Sequence, residues 1–240
     1  MDLMIGVKME NVKNAETFRR KFLEFENLTI HEEDNDEKLA SKIKELKNKR
    51  REPYYSKYDF INFCRDCRNR ISHDGYENDF IFYSEEMIKK LEDVIEEIKH
   101  PYKVYDKATK NVYSANLNDN VRKVMLEMTI KNYTHIPVYD NDKLVGVFSE
   151  GVLFNYLYKN QIVEIDDDTT FADILDFISF DNLKEIIKFV DRNKLYDDVC
   201  LEFVNEFKKG SKLSCVLVTQ TGKPQEKVIG ILTSWDILGR

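Results

Sequence analysis

One pattern occurs twice in the C-terminal half of the chain, and it constrains the fold more than any other feature. Each copy has an apolar strand, a polar turn, a second apolar strand and the start of a helix. The first copy has strands at 136–139 and 143–148 and a helix at 151–158. The second copy has strands at 215–218 and 228–232 and a helix that begins at 235. Gly146 and Gly230 hold equivalent places, 84 residues apart. Such a duplication predicts two similar units about a pseudo-twofold axis, with binding sites in the cleft between them.

Residues 1–100 follow a different pattern, in which apolar side chains recur at helical spacing. Four segments show it: 16–28, 37–51, 57–72 and a last one from about 84 to just before Pro101. Pro53 and Pro101 delimit these segments because proline cannot continue a helix. We therefore predict an α+β protein, with an N-terminal all-α helical bundle over 1–100 and the duplicated strand-and-helix units over 101–240.

The composition limits the classes of function. The chain has 240 residues, of which 42% are hydrophobic, and this is enough for real cores. Its net charge of −7 argues against steering of the whole chain toward nucleic acid. The sequence has four cysteines and shows no secretory signal, which is typical of proteins whose thiols stay reduced. No stretch approaches the ~18 consecutive apolar residues that a membrane span needs. We expect a soluble cytoplasmic protein that requires no cofactor and no metal.

The end of the second copy has the features of a nucleoside site. The strand over 228–232 is followed by Thr233, and Asp236 comes three residues later, on the first turn of the predicted helix. The Thr233 hydroxyl and the free amides of a helix N-terminus can hold phosphate. The Asp236 carboxylate can accept hydrogen bonds from a ribose diol. A plain helix cap is the alternative for this residue pair, but the duplicated strands favour a ligand site.

The two copies resemble a tandem pair of cystathionine beta-synthase (CBS) domains, also called a Bateman module. The resemblance covers about 101–240 and is carried by residues 134–140, 143–149, 216–219 and 228–236. It implies two β-α-β-β-α units, at 101–160 and 186–240. The segment between them, 161–185, is long and acidic and departs from the compact spacing of the family, and we predict that it forms a connecting helix. It also implies a regulatory site for an adenine nucleotide (AMP, ADP or ATP) or a related adenosyl compound, and control of an attached domain.

The resemblance implies that one of the two clefts is competent. Thr233 and Asp236 mark it in the second copy, whereas the first copy has Ser149 but carries Val152 where the carboxylate would be. Lys212 would be the phosphate neighbour. The remaining residues that the resemblance places around the competent cleft are Ser114, Ala115, Asn116, Leu213, Ser214, Cys215 and Ile231.

The helical half contains an arginine and a histidine that suit phosphodiester chemistry. Arg68 offers a permanent cation for phosphate oxygens, and His73 can move a proton near neutral pH. Asn69 shares a helix face with His73. This stretch resembles the HEPN family over about 10–100, which implies a metal-independent ribonuclease whose composite site forms from two protomers. Arg68 would then bind phosphate, Asn69 would orient nearby groups, and His73 would be the acid or base. The alternatives are a binding module without catalysis and solvated residues that complement the helix dipole.

Cys64 and Cys67 form a C-x-x-C pair in the same segment. A zinc or redox role needs a second Cys or His pair, or a thioredoxin-like context, and the sequence shows neither. Both cysteines lie on the apolar stripe of the predicted helix, so we expect them to pack in the core.

Together these patterns predict a nucleotide-sensing regulatory homodimer, in which the CBS pair modulates the HEPN-like domain. RNA or a protein is the expected partner of that domain, and the basic run at 42–51 would contribute to RNA binding. Two alternatives stay open. One is a ligand-gated ribonuclease that uses Arg68 and His73, and the other is a degenerate CBS scaffold that mediates dimerisation only.

Overall fold

The computed structural model describes residues 2–30, 36–74, 81–162 and 164–238. The chain divides into two compact units, Met1–Tyr102 and Lys103–Arg240. Each unit has apolar core clusters among its own residues. Within the described ranges, no helix is both long and apolar enough to cross a membrane.

In the described residues of the N-terminal unit, the regular structure is helical. Its helices are α1 (Asp2–Thr29), α2 (Asp36–Asn48), α3 (Tyr58–Asp74) and α4 (Glu85–Lys99). Phe18, Phe22 and Phe25 recur at helical spacing on α1 and are fully buried, with neighbouring ring centroids 6.0 and 5.4 Å apart. Ser84 caps α4 by accepting a hydrogen bond from the Met87 amide at 3.2 Å. The stripe predicted for the first helix is therefore its buried face, although α1 begins earlier than the predicted residue 16.

Cys64 and Cys67 lie on the buried face of α3, as the sequence predicted. Burial raises the pKa of the Cys64 thiol to about 12 and that of the Cys67 thiol to about 11. Both side chains are therefore neutral packing groups at physiological pH. The described part of the chain holds no group of three or more His, Cys, Asp or Glu side chains that could bind a metal ion.

The C-terminal unit contains two three-stranded sheets with the same order of strands. In each sheet a parallel pair is followed by an antiparallel pair. The first half comprises α5 (Val104–Lys107), β1 (Ala115–Asn116), α6 (Val121–Lys131), β2 (His135–Asp140), β3 (Lys143–Ser149) and α7 (Glu150–Asn160). The second half comprises α8 (Leu175–Ile178), β4 (Ile186–Asp191), α9 (Tyr196–Lys208), β5 (Leu213–Thr219), β6 (Gly230–Thr233) and α10 (Ser234–Leu238). The duplication in the sequence is thus a duplication of structure.

The short helices α5 and α8 are exchanged between the two repeats. Val104 of α5 is fully buried in the core of the second sheet, together with Val199 and Val218. Ile178 of α8 is fully buried in the core of the first sheet, together with Val138. Each repeat is therefore completed by the helix that precedes the other one.

The connecting helix predicted over 161–185 is wrong. Within the described residues of that segment, the only helix is the four-residue α8. The rest runs as turns that bring Phe171 and Ile174 into the core of the first sheet. The apolar residues of this otherwise acidic segment pack against the first sheet, and this packing, not helical periodicity, accounts for their spacing.

The paired glycines mark the points where the exchanged segments cross the strands. A Cβ on Gly146 would lie 2.1 Å from the Ile178 carbonyl oxygen. A Cβ on Gly230 would lie 3.0 Å from the Ala108 Cβ. Neither strand has room for a full side chain at these positions, because the exchanged segment passes close by, with its backbone at Gly146 and with the Ala108 side chain at Gly230.

Candidate ligand-binding clefts

Strand β6 leads directly into the residue pair on which the sequence analysis focused. Thr233 ends the strand, and Asp236 lies on the first turn of α10. The Thr233 amide donates to Asp236 Oδ2 at 2.7 Å, and the Thr233 hydroxyl donates to the same oxygen at 2.9 Å. Among the residues that the structure describes, no donor reaches the second oxygen, Oδ1. The pair thus offers one carboxylate oxygen to an external donor.

Thr170 and Asp173 form the same two hydrogen bonds elsewhere in this unit. Asp173 Oδ2 accepts from the Thr170 amide at 2.8 Å and from the Thr170 hydroxyl at 2.7 Å. These bonds, the backbone bond first, lower the pKa of the Asp173 carboxyl. A Thr-x-x-Asp pair is therefore a local backbone cap in itself, and only its surroundings distinguish Asp236 from Asp173.

Those surroundings are a cleft of about 800 Å³ formed by both repeats. Its volume lies within the range of small-molecule sites. The first repeat contributes Met125, Met128, Thr129, Lys131, Asn132, Tyr133, Thr134, His135, Phe148, Glu150 and Leu153. The preceding segment and the second repeat contribute Thr109, Ile231, Thr233, Trp235 and Asp236. Seven of these sixteen residues are apolar or aromatic and nine are polar or charged, so the cleft offers both packing surface and hydrogen-bonding groups to a ligand.

The structure brings three of the predicted nucleotide-binding residues together in this cleft, namely Ile231, Thr233 and Asp236. The other predicted residues do not line it: Ser114, Ala115, Asn116, Lys212, Leu213, Ser214 and Cys215. Most of these are held in the sheets, and Cys215 is fully buried opposite Thr233 in the β5–β6 pairing. Burial raises the pKa of the Cys215 thiol, so it stays neutral.

The first repeat supplies the wall of the cleft that the sequence analysis did not assign. Met125 and Met128 lie in the middle and the second half of α6, His135 begins β2, and Thr134 directly precedes it. Thr109 lies outside the strands, but it reaches the cleft because its backbone forms an isolated bridge with Ile231 of β6. No local motif marks these residues, since their position follows from the exchange of segments between the repeats.

The equivalent place in the first repeat is arranged differently. Ser149 ends β3 and caps α7, accepting a hydrogen bond from the Val152 amide at 3.1 Å. The Ser149 hydroxyl donates to Glu185 Oε1 at 2.6 Å, and His135 Nε2 lies 3.1 Å from Glu185 Oε2. A carboxylate therefore reaches Ser149 from the segment before β4, although Val152 stands where Asp236 stands in the second repeat.

The surroundings of Glu185 favour its charged form. Burial alone would raise its pKa, but the hydrogen bonds from His135 and Ser149 and the positive charges of His135 and Lys212 outweigh it, so the pKa is lowered. Lys212, predicted as a phosphate neighbour, thus acts on an internal carboxylate.

In the N-terminal unit, two of the predicted catalytic residues are in contact with each other. Arg68 Nη1 donates to Asn69 Oδ1 at 3.1 Å on α3. Arg68 Nη2 lies 3.1 Å from Oε1 of Glu26, a mostly buried carboxylate of α1. His73 belongs to α3, but its side chain lies outside the described residues. Arg68 therefore holds α3 to α1 through an ion pair, which is a structural role that the sequence analysis did not foresee.

Residues 103–159, from α5 to α7, match the family model described as CBS domain. No curated protein matches the chain. Among solved structures, the CBS domain pair of protein MJ0100 in complex with 5′-methylthioadenosine and S-adenosyl-L-methionine is 22% identical, with a TM-score of 0.40 over 58% of this chain and 94% of its own. CBSX2 in complex with AMP is 22% identical, with a TM-score of 0.40 over 57% and 94% of the two chains. Protein MJ1004 from Mathanocaldococcus jannaschii is 22% identical, with a TM-score of 0.42 over 57% and 58%.

Proposed function

We propose that the C-terminal unit is a regulatory CBS domain pair that binds an adenosine-type ligand in the cleft beside Asp236. The observation that carries this proposal is the position of Asp236: it lines a cleft of about 800 Å³ formed by both repeats, and among the described residues only its Oδ2 accepts a hydrogen bond. The CBS match over 103–159 supports it, because the wall of the cleft across from Asp236 belongs to that domain.

In this proposal each part of the cleft has a distinct role. Asp236 Oδ1 accepts hydrogen bonds from the ribose hydroxyls, while Oδ2 stays fixed by Thr233. Met125, Met128 and Phe148 offer thioether and aromatic surface against which a purine ring can pack. The ligand is AMP, ADP, ATP or a related adenosyl compound, and it acts as a regulator rather than as a cofactor.

Isothermal titration calorimetry with AMP, ADP, ATP and S-adenosylmethionine tests the proposal. We expect Asp236→Asn to weaken the binding of the best ligand by at least about 10-fold, since a charge-assisted hydrogen bond is lost. Asp173→Asn is the matched control, because it breaks the same local bonds outside the cleft. The proposal fails if none of the four ligands binds, or if both variants lose affinity equally.

We further propose that the ligand acts on the N-terminal helical domain by changing the arrangement of a homodimer. A ligand can shift such an equilibrium only through its different affinities for the two arrangements. Light scattering coupled to size exclusion, with and without the best ligand, measures the change in mass or hydrodynamic radius. A protein that is monomeric with and without the ligand would contradict the proposed homodimer. It would also contradict the alternative of a degenerate CBS scaffold, whose only role is dimerisation.

A second candidate function is metal-independent RNA cleavage by the N-terminal unit. The observation that favours it is the contact between Arg68 and Asn69 on α3, the helix that also carries His73. Cleavage of single-stranded RNA in the presence of EDTA would be lost in His73→Ala. His100→Ala is the matched control, because His100 is exposed at the end of α4. Equal cleavage by wild type and His73→Ala would remove the catalytic role.

A further inference from the structure

The first repeat has lost the carboxylate that marks the open cleft, but the structure puts another one in its place. Val152 is buried at the position equivalent to Asp236. Glu185, which follows α8 and precedes β4, reaches back over 36 residues to Ser149. A hydroxyl paired with a carboxylate is thus restored at the end of β3, with the carboxylate supplied by the other repeat.

Both oxygens of this carboxylate are engaged. Ser149 donates to Oε1 at 2.6 Å, and His135 Nε2 lies 3.1 Å from Oε2. The Ser149 hydroxyl is used in both directions, because it also accepts from the Val152 amide. Little hydrogen-bonding capacity therefore remains at Ser149 for any molecule that enters from outside.

The carboxylate also fills the space above the first turn of α7. A Cβ built on Gly151 would lie 2.4 Å from Glu185 Oε1. A cavity of about 510 Å³ touches Glu185 and Val152, but Ser149 and His135 do not line it. Glu185 thus stands between this cavity and Ser149, which is 2% exposed.

The chemistry around the Glu185 carboxylate is that of an oxyanion site. The N-terminus of the eleven-residue α7 carries a partial positive charge, and Ser149 and His135 provide hydrogen bonds. Lys212 adds a cation that acts on the same carboxylate. In many proteins such surroundings hold a phosphate or a carboxylate of a ligand.

We propose that the cleft of the first repeat is closed by this chain's own Glu185, whose carboxylate occupies the place of an oxyanion as an autoinhibitory internal ligand. The module then has one open cleft, beside Asp236, and one that opens only when Glu185 leaves Ser149. The inference concerns the first-repeat cleft and holds whether or not a nucleotide binds beside Asp236.

The contact is also connected to the open cleft. His135 lines that cleft and bonds Glu185 through Nε2, while Nδ1 lies 2.9 Å from the Thr134 hydroxyl, which lines the same cleft. Since an ionised carboxylate only accepts, Nε2 must carry a proton. Release of Glu185 would free His135 to turn or to change tautomer, and this would alter the wall of the open cleft.

Inorganic phosphate, followed by nuclear magnetic resonance, tests the proposal without any nucleotide. The readout is the amide signal of Gly151, beside the carboxylate, in wild type and in Glu185→Ala. We expect a saturable shift in Glu185→Ala and phosphate binding at least about 10-fold weaker in wild type, since its own carboxylate fills the site. Glu185→Gln keeps the size of the side chain but removes its charge, so its phosphate affinity should lie between those of wild type and Glu185→Ala. It replaces Glu185→Ala as the test variant if that protein does not fold.

Glu206→Gln is the control, because Glu206 of α9 pairs with Lys188 of β4 and with Lys209, and it makes no contact with Ser149. In the Glu206→Gln variant, the Gly151 amide signal should respond to phosphate as it does in wild type. Equal responses of wild type and the folded Glu185 variants, or no response in any of them, would overturn the autoinhibitory contact. Failure of nucleotide binding beside Asp236 is a separate result, measured by calorimetry, and it bears only on the proposed function.

Discussion

Thr109 and Ile231 exchange two backbone hydrogen bonds, at 3.0 and 3.1 Å, although they lie 122 residues apart. Thr109 precedes the first sheet, whereas Ile231 belongs to the last strand of the second. Gly146 and Ser179 form the corresponding bridge on the other sheet. Each repeat is thus closed by the segment before its partner, and neither repeat has a complete core without the other.

The two crossing glycines should therefore respond to substitution by different amounts. Gly146→Ala places a Cβ 2.1 Å from a backbone oxygen, which must shift, and we expect a loss of about 3 kcal/mol in the free energy of unfolding. Gly230→Ala meets a side-chain carbon at 3.0 Å and should cost about 1 kcal/mol. Urea unfolding of the full chain, followed by the fluorescence of Trp235, measures both.

Gly210→Ala is the control for the loss of a glycine without a new contact. Gly210 has a positive φ of 78°, and a Cβ there would meet no atom within 4 Å. Gly210→Ala should lower the free energy of unfolding by roughly 1 kcal/mol, which is the cost of placing alanine in a left-handed backbone conformation. A Gly146→Ala variant as stable as Gly230→Ala would contradict the close crossing at Ile178.

The sequence predicted the parts of this fold that depend on local patterns. The strand pairs were placed within a residue or two of β2, β3 and β5, and the buried stripe of α1 was identified correctly. The four-residue helices α5 and α8 were missed because a single turn has no periodicity. The Glu185–Ser149 contact could not be foreseen, since the exchange of segments creates it and no local motif encodes that exchange.

The ionised Glu185 should make the stability of the C-terminal unit depend on pH. Its folded pKa is lowered, so its contribution is complete above the unfolded pKa and is lost as the pH falls through the folded pKa. His135 and Lys212 are the basic residues that act on this carboxylate, and burial keeps the nearby Cys215 thiol neutral. We expect wild type to exceed Glu185→Gln by about 1–2 kcal/mol near pH 7 and by less below about pH 4.5.

Chemical denaturation of both proteins at intervals between pH 3.5 and pH 7 measures this difference. The informative quantity is the gap between the two curves, because the other carboxylates titrate in both proteins. A gap that is as large at pH 3.5 as at pH 7 would show that Glu185 is not held as an ionised carboxylate.

The ion pair of Arg68 and Glu26 should contribute to the stability of the N-terminal unit. Nη2 of Arg68 is 3.1 Å from Glu26 Oε1, and the Glu26 side chain is only 10% exposed. We expect Arg68→Gln to lower the free energy of unfolding by about 1–2 kcal/mol. In a double-mutant cycle with Glu26→Gln, the combined loss should be smaller than the sum of the single losses. Strict additivity would contradict a stabilising role for this ion pair.

The charges of the open cleft should set which adenine nucleotide binds best. Its acidic groups are Glu150 and Asp236, and its one lysine, Lys131, lies 2.8 Å from Glu127. A polyphosphate entering this cleft is repelled more strongly than a monophosphate. We therefore expect ATP to bind more weakly than AMP, and Glu150→Gln to improve ATP binding about 3- to 10-fold relative to AMP.

Calorimetry at about 0.05 and 0.15 M salt should show the preference for AMP shrinking as salt screens the repulsion. Glu164→Gln is the control, since Glu164 faces Arg122 outside the cleft, and a wild type that prefers ATP at both salt concentrations would contradict this account of the cleft.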